Sequence, residues 1–253
     1  MKSPTVVIVM PAFNGERTVK ETFLEIPKNL RKKIILVDDK STDHTVAVAK
    51  KLGIIVFKHP QNLGYGGCQK TCYEAALKYH PDVIVMLHPD YQYDATKIPE
   101  LIEPILSGKY DFMFGSRMQA KDDARKGGMP LAKYYINRIV CWLENKILGV
   151  HFTEHFSGLR AYSSELLQTV PFQRFSNDFV FDQQMEMSAL SYHFRIGEIP
   201  IPTRYHTRAS SIKLVKGTKF LLETFFYLFL YVLHRHSLLK IALFAPKRSN
   251  MLY

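Results

Sequence analysis

Residues 5–16 read TVVIVMPAFNGE. The first six form a continuous apolar, β-branched run without polar alternation, as in a strand buried on both faces. The chain then turns polar at once, through Pro11, Ala12, Phe13, Asn14, Gly15 and Glu16. Val19, Phe23, Ile26 and Leu30 follow at helical spacing, so the segment predicts a strand–loop–helix unit. The unit recurs downstream. Residues 34–37 predict a second strand, with a helix over 42–52 and Ser41 as its N-cap. Residues 54–57 predict a third strand and 67–79 a helix after a Gly-rich turn. Residues 83–87 (VIVML) predict a fourth strand and 98–106 a helix, with Asp94 or Thr96 near its start. A fifth strand opens at 112–114 and closes at Gly115. Such alternation predicts an α/β fold, a mostly parallel sheet with helices on both faces.

Sheets of this class bind ligands beyond the carboxyl ends of their strands. Here those ends carry PAFNGE, Asp38-Asp39-Lys40-Ser41-Thr42-Asp43, Asn62 to Gly67, His88 to Asp94, and Gly115-Ser116-Arg117. Five polar strand ends at one edge point to one shared site. Asp38 and Asp39 can accept hydrogen bonds from ribose hydroxyls or a base N–H. No G-x-G-x-x-G and no P-loop occurs, which disfavours a nicotinamide dehydrogenase and a P-loop NTPase. In an extended segment, His88, Asp90 and Gln92 would point the same way and could hold a divalent cation against a diphosphate. Mg²⁺ prefers oxygen donors, whereas imidazole suits softer ions such as Mn²⁺, so His88 is the odd member. Arg117 would join Asp90 in neutralising a departing diphosphate.

The later chain predicts a mobile loop or lid over 118–135, a helix over 135–148 and a turn into a short helix over 156–162 (FSGLRAY). A helix over 178–191 and an edge strand with two prolines over 196–205 complete this part. Composition narrows the classes. The 253 residues are 47% hydrophobic and 13% aromatic, which excludes disorder and low-complexity classes. Three cysteines without a C-x-x-C pair exclude a disulfide framework and speak against structural zinc, so a reducing compartment is expected. The six-residue apolar run near the N-terminus is too short for a signal peptide. The formal net charge is +11, and residues 195–253 hold ten Lys/Arg against two acids. An anionic partner is expected there; no nucleic-acid motif accompanies the tail.

In order and spacing, PAFNGE, LVDDKSTDHT, HPDYQYD, GSR, SGLRAY and FVFDQQM…EIPIPTRYHTRASSIK resemble family 2 glycosyltransferases of the GT-A fold, and most closely the branch of dolichol- and polyprenyl-phosphate sugar transferases. The resemblance runs from about residue 5 to 213. It implies inverting transfer of a sugar from a nucleotide-sugar, with a Mg²⁺ or Mn²⁺ cofactor. By motif, Pro11, Ala12, Asn14 and Glu16 would line the nucleotide pocket, and Asp38 and Asp39 would contact base and ribose. Asp90 matches the second acid of the family's Asp-x-Asp motif, Gln92 its accessory ligand, and His88 replaces the first acid. Arg117, Ser157, Arg160, Arg204 and Arg208 would grip acceptor or donor phosphate; Tyr205, Ser210 and Ser211 belong to the same closing segment. Glu154 stands where an Asp is commoner, and Asp182 matches an acid near the acceptor.

A phosphate monoester is already anionic at neutral pH and needs cationic clamps rather than a base. A hydroxyl acceptor, as in glycolipid or surface-polysaccharide synthesis, would need a base, for which Asp182 is the candidate. A sugar-phosphate nucleotidyltransferase is more remote, because PAFNGERT lacks that class's basic Gly-rich loop. The chain is thus read as a GT-A domain over 1–212, with a nucleotide-binding half to 117 and an acceptor half beyond it, followed by a C-terminal helical segment over 213–253. Residues 219–244 are strongly apolar, but their longest uncharged stretch is ten residues, against about 20 for a membrane span. An interfacial helix on anionic lipid and a helix buried against a second protomer both remain open, and a lipid-linked acceptor favours the first. The expected location is the cytoplasmic face of a membrane.

Overall fold

The computed structural model describes residues 4–119, 128–204 and 214–245. Tyr205, Arg208, Ser210 and Ser211 of the closing segment, and residues 120–127 of the expected lid, lie outside these residues. A seven-stranded sheet forms the centre, in the order β3-β2-β1-β4-β6-β5-β7. Its first four strands in sequence are β1 (Val6–Ala12), β2 (Ile34–Asp38), β3 (Ile55–Lys58) and β4 (Val83–Met86). They are parallel, with Ala12 opposite Asp38 and Val9 opposite Met86. The remaining strands are β5 (Phe112–Ser116), β6 (Arg160–Ser163) and β7 (Ile196–Pro200). β7 lies parallel to β5 at the edge, where its terminal Pro200 is tolerated.

Between the strands run α1 (Val19–Glu25), α2 (Thr45–Lys51), α3 (Gly64–Leu77) and α4 (Ile98–Leu106). They are followed by α5 (Leu131–Leu148), α6 (Ser164–Thr169), α7 (Phe181–Ser191) and α8 (Leu214–Arg235). The period of two along β1 divides the core. Val7 and Val9 pack with Tyr73, Phe112, Phe114 and Phe181 on one face. Ile8 and Met10 pack with Leu36, Val85, Leu101 and Ile102 on the other. Each such fully buried apolar side chain contributes about 1.5–3 kcal/mol.

Four expectations are corrected. Residues 156–162 do not lead into a helix: β6 lies antiparallel between β4 and β5, making the sheet mixed, and α6 begins only after Ser163 Oγ accepts the amide of Leu166 at 3.2 Å. Ser41 does not cap α2, because its hydroxyl accepts the Asn14 amide at 2.8 Å and the helix starts at Thr45. α3 begins at Gly64, three residues early, because Asp39, just after β2, accepts the amides of Leu63 and Gly64. α5 begins at Leu131, inside the stretch expected as a loop.

The C-terminal helix packs onto the domain. Leu228 and Tyr231 of α8 join Leu148, Met187 and Phe244 in a small core. Ser188, Ser191 and Tyr192 donate to the carbonyls of Leu243, Phe244 and Ala245. Among the described residues no helix is long and apolar enough to cross a membrane.

A buried ionic cluster lies beneath α5. His155 bonds to Glu186 through Nδ1 at 2.5 Å and to Asn145 Oδ1 through Nε2 at 3.2 Å. Burial pushes Glu144 up to about 7; the His155 cation opposes this and the charge of Glu186 adds to it. The folded state therefore keeps a proton that the unfolded chain releases near 4.5. Stability from this group is present at low pH and is lost as pH rises from 4.5 to about 7. Glu144→Gln should flatten that slope and stabilise the protein at pH 8 by up to about 3 kcal/mol. Denaturant titrations at pH 5 and pH 8 measure it; an unchanged pH slope refutes it.

Candidate active site

The loops after β1 and β2 are stitched together. Asn14, in the left-handed region at φ 53°, accepts the Thr42 amide on Oδ1 at 2.8 Å. The Gly15 amide donates to Thr45 Oγ1 at 2.7 Å, the Glu16 amide to Asp43 Oδ2 at 3.0 Å, and the His44 amide to Glu16 Oε2 at 2.8 Å. Asn14 and Glu16, expected to line a nucleotide pocket, thus tie these two loops together. Pro11 and Ala12 are buried in the end of β1, and the Ala12 carbonyl accepts the Asp39 amide. Phe13 beside them is 56% exposed. An aromatic face left in water at a strand end is open to a planar partner. The polarity of its neighbours hid it in the sequence.

Asp38 and Asp39 have different roles. Asp39 accepts the amides of Leu63 and Gly64 at 2.8 and 3.0 Å and bonds to His59 Nδ1 at 2.8 Å. It anchors the start of α3, where a carboxylate also meets the positive end of the helix dipole. Its carboxylate, expected to contact a ligand, holds these structural bonds. Asp38 accepts the Ser41 amide on Oδ2 at 3.1 Å, while its buried Oδ1 has no hydrogen-bond partner among the described residues. Leaving a buried acceptor unpaired costs about 1–3 kcal/mol, which a ligand N–H would recover.

Residues 88–92 are not extended, which corrects the convergence argument. Tyr91 has φ 60°, so the chain turns between Asp90 and Gln92. Asp90 stays half-buried and its Oδ1 accepts the Gln92 amide at 3.1 Å; Gln92 is buried. Among the described residues no three His, Cys, Asp or Glu side chains gather as a metal cage. The donor set nevertheless fits a cation brought by a diphosphate, since Mg²⁺ and Mn²⁺ commonly take one or two protein ligands plus phosphate oxygens and water. Asp90 would be the carboxylate, with His88 and Gln92 beside it. Bound there, the ion would offset charge building on the leaving diphosphate.

His88 is held by a chain that the sequence did not reveal. Its Nε2 lies 3.1 Å from the Tyr65 hydroxyl, which donates to Asp182 Oδ2 at 2.6 Å. Gln69 Nε2 donates to Asp182 Oδ1 at 3.1 Å and accepts from Tyr73 on Oε1 at 2.6 Å. Burial lowers the His88 pKa against the charges of Asp90 and Asp182, so the imidazole is neutral at pH 7. Burial and the charge of Asp182 hold Tyr65 well above the usual phenol range, so it remains a donor. Both oxygens of Asp182, the candidate base, already accept hydrogen bonds. Gly158 of SGLR is small because the His88 ring leans on it: a Cβ there would lie 2.7 Å from His88 Cδ2 and 2.9 Å from Nε2.

The arginines divide similarly. Arg117 is buried against Glu154, with its backbone amide and Nε both donating to Oε2, at 2.9 and 3.0 Å, and its NH2 group bonding to Oε1. Asn137 Nδ2 donates to the same carboxylate at 3.1 Å. Burial alone would raise Glu154, but the Arg117 cation and these bonds hold it below its ordinary range. Lys133, an exposed residue whose ammonium end is partly enclosed, is lowered by that partial desolvation and by the neighbouring Arg117 charge. Arg160 is 1% exposed and donates to the carbonyls of Ser157, Asp182 and His155. It therefore braces the SGLR turn from within, which corrects its expected grip on a phosphate. Ser157 is fully buried with an unpartnered Oγ. Arg204 pairs with Glu25 at 2.9 Å and lies over the Tyr91 ring at 4.5 Å. Arg208 lies outside the described residues.

Known proteins share this fold. A computed fold comparison matches glucosyl-3-phosphoglycerate synthase from Mycobacterium tuberculosis, solved with phosphoglyceric acid, at TM-score 0.69 and 18% identity over 91% of this chain and 80% of that one. The same enzyme solved with Mn²⁺, UDP and glucosyl-3-phosphoglycerate matches at TM-score 0.68 and 19% identity. In sequence, an uncharacterised protein of Methanocaldococcus jannaschii is 31% identical over 86% of this chain and 90% of its own length. UDP-N-acetylglucosamine–dolichyl-phosphate N-acetylglucosaminyltransferase of Methanococcus voltae is 26% identical over 86% and 91%. The GT-A fold expectation holds, and the enzyme class is glycosyltransferase. With residues 7–167 matching the model of glycosyl transferase family 2, the chain belongs to that family.

Proposed function

We propose that the protein transfers a sugar, with inversion, from a UDP- or GDP-sugar to a dolichyl or polyprenyl phosphate at the cytoplasmic face of a membrane. The observation that carries this is the pairing of the unpartnered Asp38 oxygen and the half-buried Asp90 carboxylate, at the ends of β2 and β4 on either side of β1. Asp38 receives a base or ribose hydrogen, Phe13 stacks on the base, and Asp90 faces the diphosphate with a divalent cation. The bond from the anomeric carbon to the diphosphate oxygen breaks, and its electron pair leaves with the nucleotide. An acceptor phosphate oxygen forms the new bond from the opposite face. That oxygen needs no base, which suits the hydrogen-bonded state of Asp182. Lys133, beside the Arg117–Glu154 pair, supplies positive charge toward the acceptor. The dolichyl-phosphate activity of the M. voltae relative supports the acceptor class.

Two adjoining helices offer a surface for a lipid-borne acceptor. α5 leaves Tyr135, Ile139 and Trp142 exposed, and α8 leaves Leu222, Phe226 and Phe229 exposed, with Trp142 at 58% and Phe229 at 59%. Lys133, Arg138, Lys146, Lys216, Lys219, Arg235 and Lys240 are exposed on or next to these helices; their acids are Glu144, which is buried, and Glu223, which is part-buried. An apolar stripe with cationic flanks matches an anionic bilayer surface. Phe156 packs edge-on against Phe220, joining this face to the SGLR turn.

Protein mixed with a panel of UDP- and GDP-hexoses and anionic vesicles should release nucleotide diphosphate only when the vesicles carry dolichyl phosphate. Equal release with the free alcohol dolichol refutes the phosphate acceptor. Ile139→Ser with Phe229→Ser should abolish co-flotation with phosphatidylglycerol vesicles; a stable dimer that never floats overturns the lipid surface.

A further inference from the structure

We infer that Thr22 is a positioning residue of the transfer reaction: from the buried face of α1 it holds Tyr91 in a left-handed backbone conformation, and so sets where the neighbouring Asp90 carboxylate stands. This role rests on the placing of Asp90 at the donor diphosphate proposed above. Thr18, Thr22 and Glu25 recur at spacings of four and three, so they share one face of the helix. Each of them bonds to the 89–91 turn or to the residue that covers it. Thr18, 6% exposed, donates its hydroxyl to the Pro89 carbonyl at 2.6 Å. Thr22, wholly buried, accepts the Tyr91 amide on Oγ1 at 3.1 Å. Glu25 holds the Arg204 guanidinium through both carboxylate oxygens, at 2.9 and 3.0 Å, and bonds to the Tyr91 hydroxyl.

The turn depends on these bonds because its backbone is strained. Tyr91 has φ 60°, a region that residues with a Cβ populate sparsely and keep only where the surroundings over-determine it. Opposite α1, Arg204 donates its amide to the Gln92 carbonyl at 3.0 Å and Tyr93 bridges Thr203 antiparallel, so the segment after β7 closes the other side. Asp90 lies between these clamps, with Oδ1 accepting the Gln92 amide at 3.1 Å. Relaxing Tyr91 to a negative φ would swing that amide away from Asp90. A misplacement of about 1 Å at a reacting site can cost about 10²-fold in rate. α1 also starts from the loop after β1: the Gly15 carbonyl accepts the amides of Thr18 and Val19 at 3.0 Å. One short helix therefore sets the spacing between that loop and the Asp90 turn, and Thr22 is its wholly buried contact with the strained residue.

The test uses the full chain in the vesicle assay, with whichever UDP- or GDP-hexose of the panel is turned over. Thr22→Val keeps the volume and removes the hydroxyl, whereas Thr22→Ser keeps the hydroxyl. Thr22→Val should lower kcat about 10–100-fold and leave KM for the donor within about threefold, because other loops hold the nucleoside. Thr22→Ser should restore kcat to within about threefold of wild type. Hydrogen exchange at the 89–93 amides, read by mass spectrometry, should quicken about tenfold in Thr22→Val and stay near the wild-type rate in Thr22→Ser. Thr22→Ala gives the same comparison where Thr22→Val does not fold. A threonine with a merely structural role would lower the melting temperature and leave kcat near wild type; that result, or unchanged exchange at these amides, overturns this inference alone. Wild-type protein that releases nucleotide with none of the panel overturns the placing of Asp90 and this inference with it.

Discussion

Glu154→Ala should destabilise the protein by about 3–5 kcal/mol, the cost of leaving one member of a buried ion pair without its partner. Glu154 is wholly buried and takes hydrogen bonds from the Arg117 backbone, the Arg117 guanidinium and Asn137. Without it, Arg117 stays 4% exposed with its main neutralising charge gone, and the end of β5 is tied to the segment before the SGLR turn only by weaker bonds such as Ser116 to Thr153. Glu154→Gln should cost less, since it keeps acceptor capacity. Replacing both residues by methionine should cost less than Glu154→Ala alone, because neither charge is then stranded. Equilibrium urea unfolding reads all three. A loss below about 1 kcal/mol for Glu154→Ala would show that solvent reaches the pair.

Asp90→Asn should lower turnover by about 10²–10³-fold, a barrier change of roughly 3–4 kcal/mol, while moving the melting temperature little. The side chain is half-buried, and its Oδ1 bond to the Gln92 amide survives in the amide. What disappears is the negative charge facing the diphosphate. Steady-state nucleotide release, with a thermal melt as folding control, separates the two effects. Turnover within tenfold of wild type would remove Asp90 from the chemistry.

The strands that build the crevice were legible because their signal is continuous. TVVIVM, IILV and VIVML cannot lie on a half-wet surface, and each is followed at once by polar residues. α4 appears at its expected bounds because apolar spacing and the Asp94 cap agree. β6 was hidden because four residues cannot show a period, and Arg160 inside it looks like a surface residue until its carbonyl partners are seen. Ser41 was misread, and the anchoring bonds of Asp39 went unseen, for the same reason. Whether such a residue caps its own helix or a distant element depends on which backbone amide the fold brings near. Tyr65 was invisible because its partners, His88 and Asp182, lie 23 and 117 positions away.

The antiparallel insertion of β6 has a consequence during biosynthesis. β5 pairs only with β6 and β7, and one side of β4 is closed only by β6. After β5 leaves the ribosome, about 44 further residues must emerge before its first partner begins, which at 5–20 residues per second takes roughly two to nine seconds. Throughout that interval the nascent chain displays an open β4 edge and an unpaired, wholly apolar FMF segment. Translation speed between codons 117 and 163, and chaperone occupancy there, should therefore govern the soluble yield more than events at either terminus.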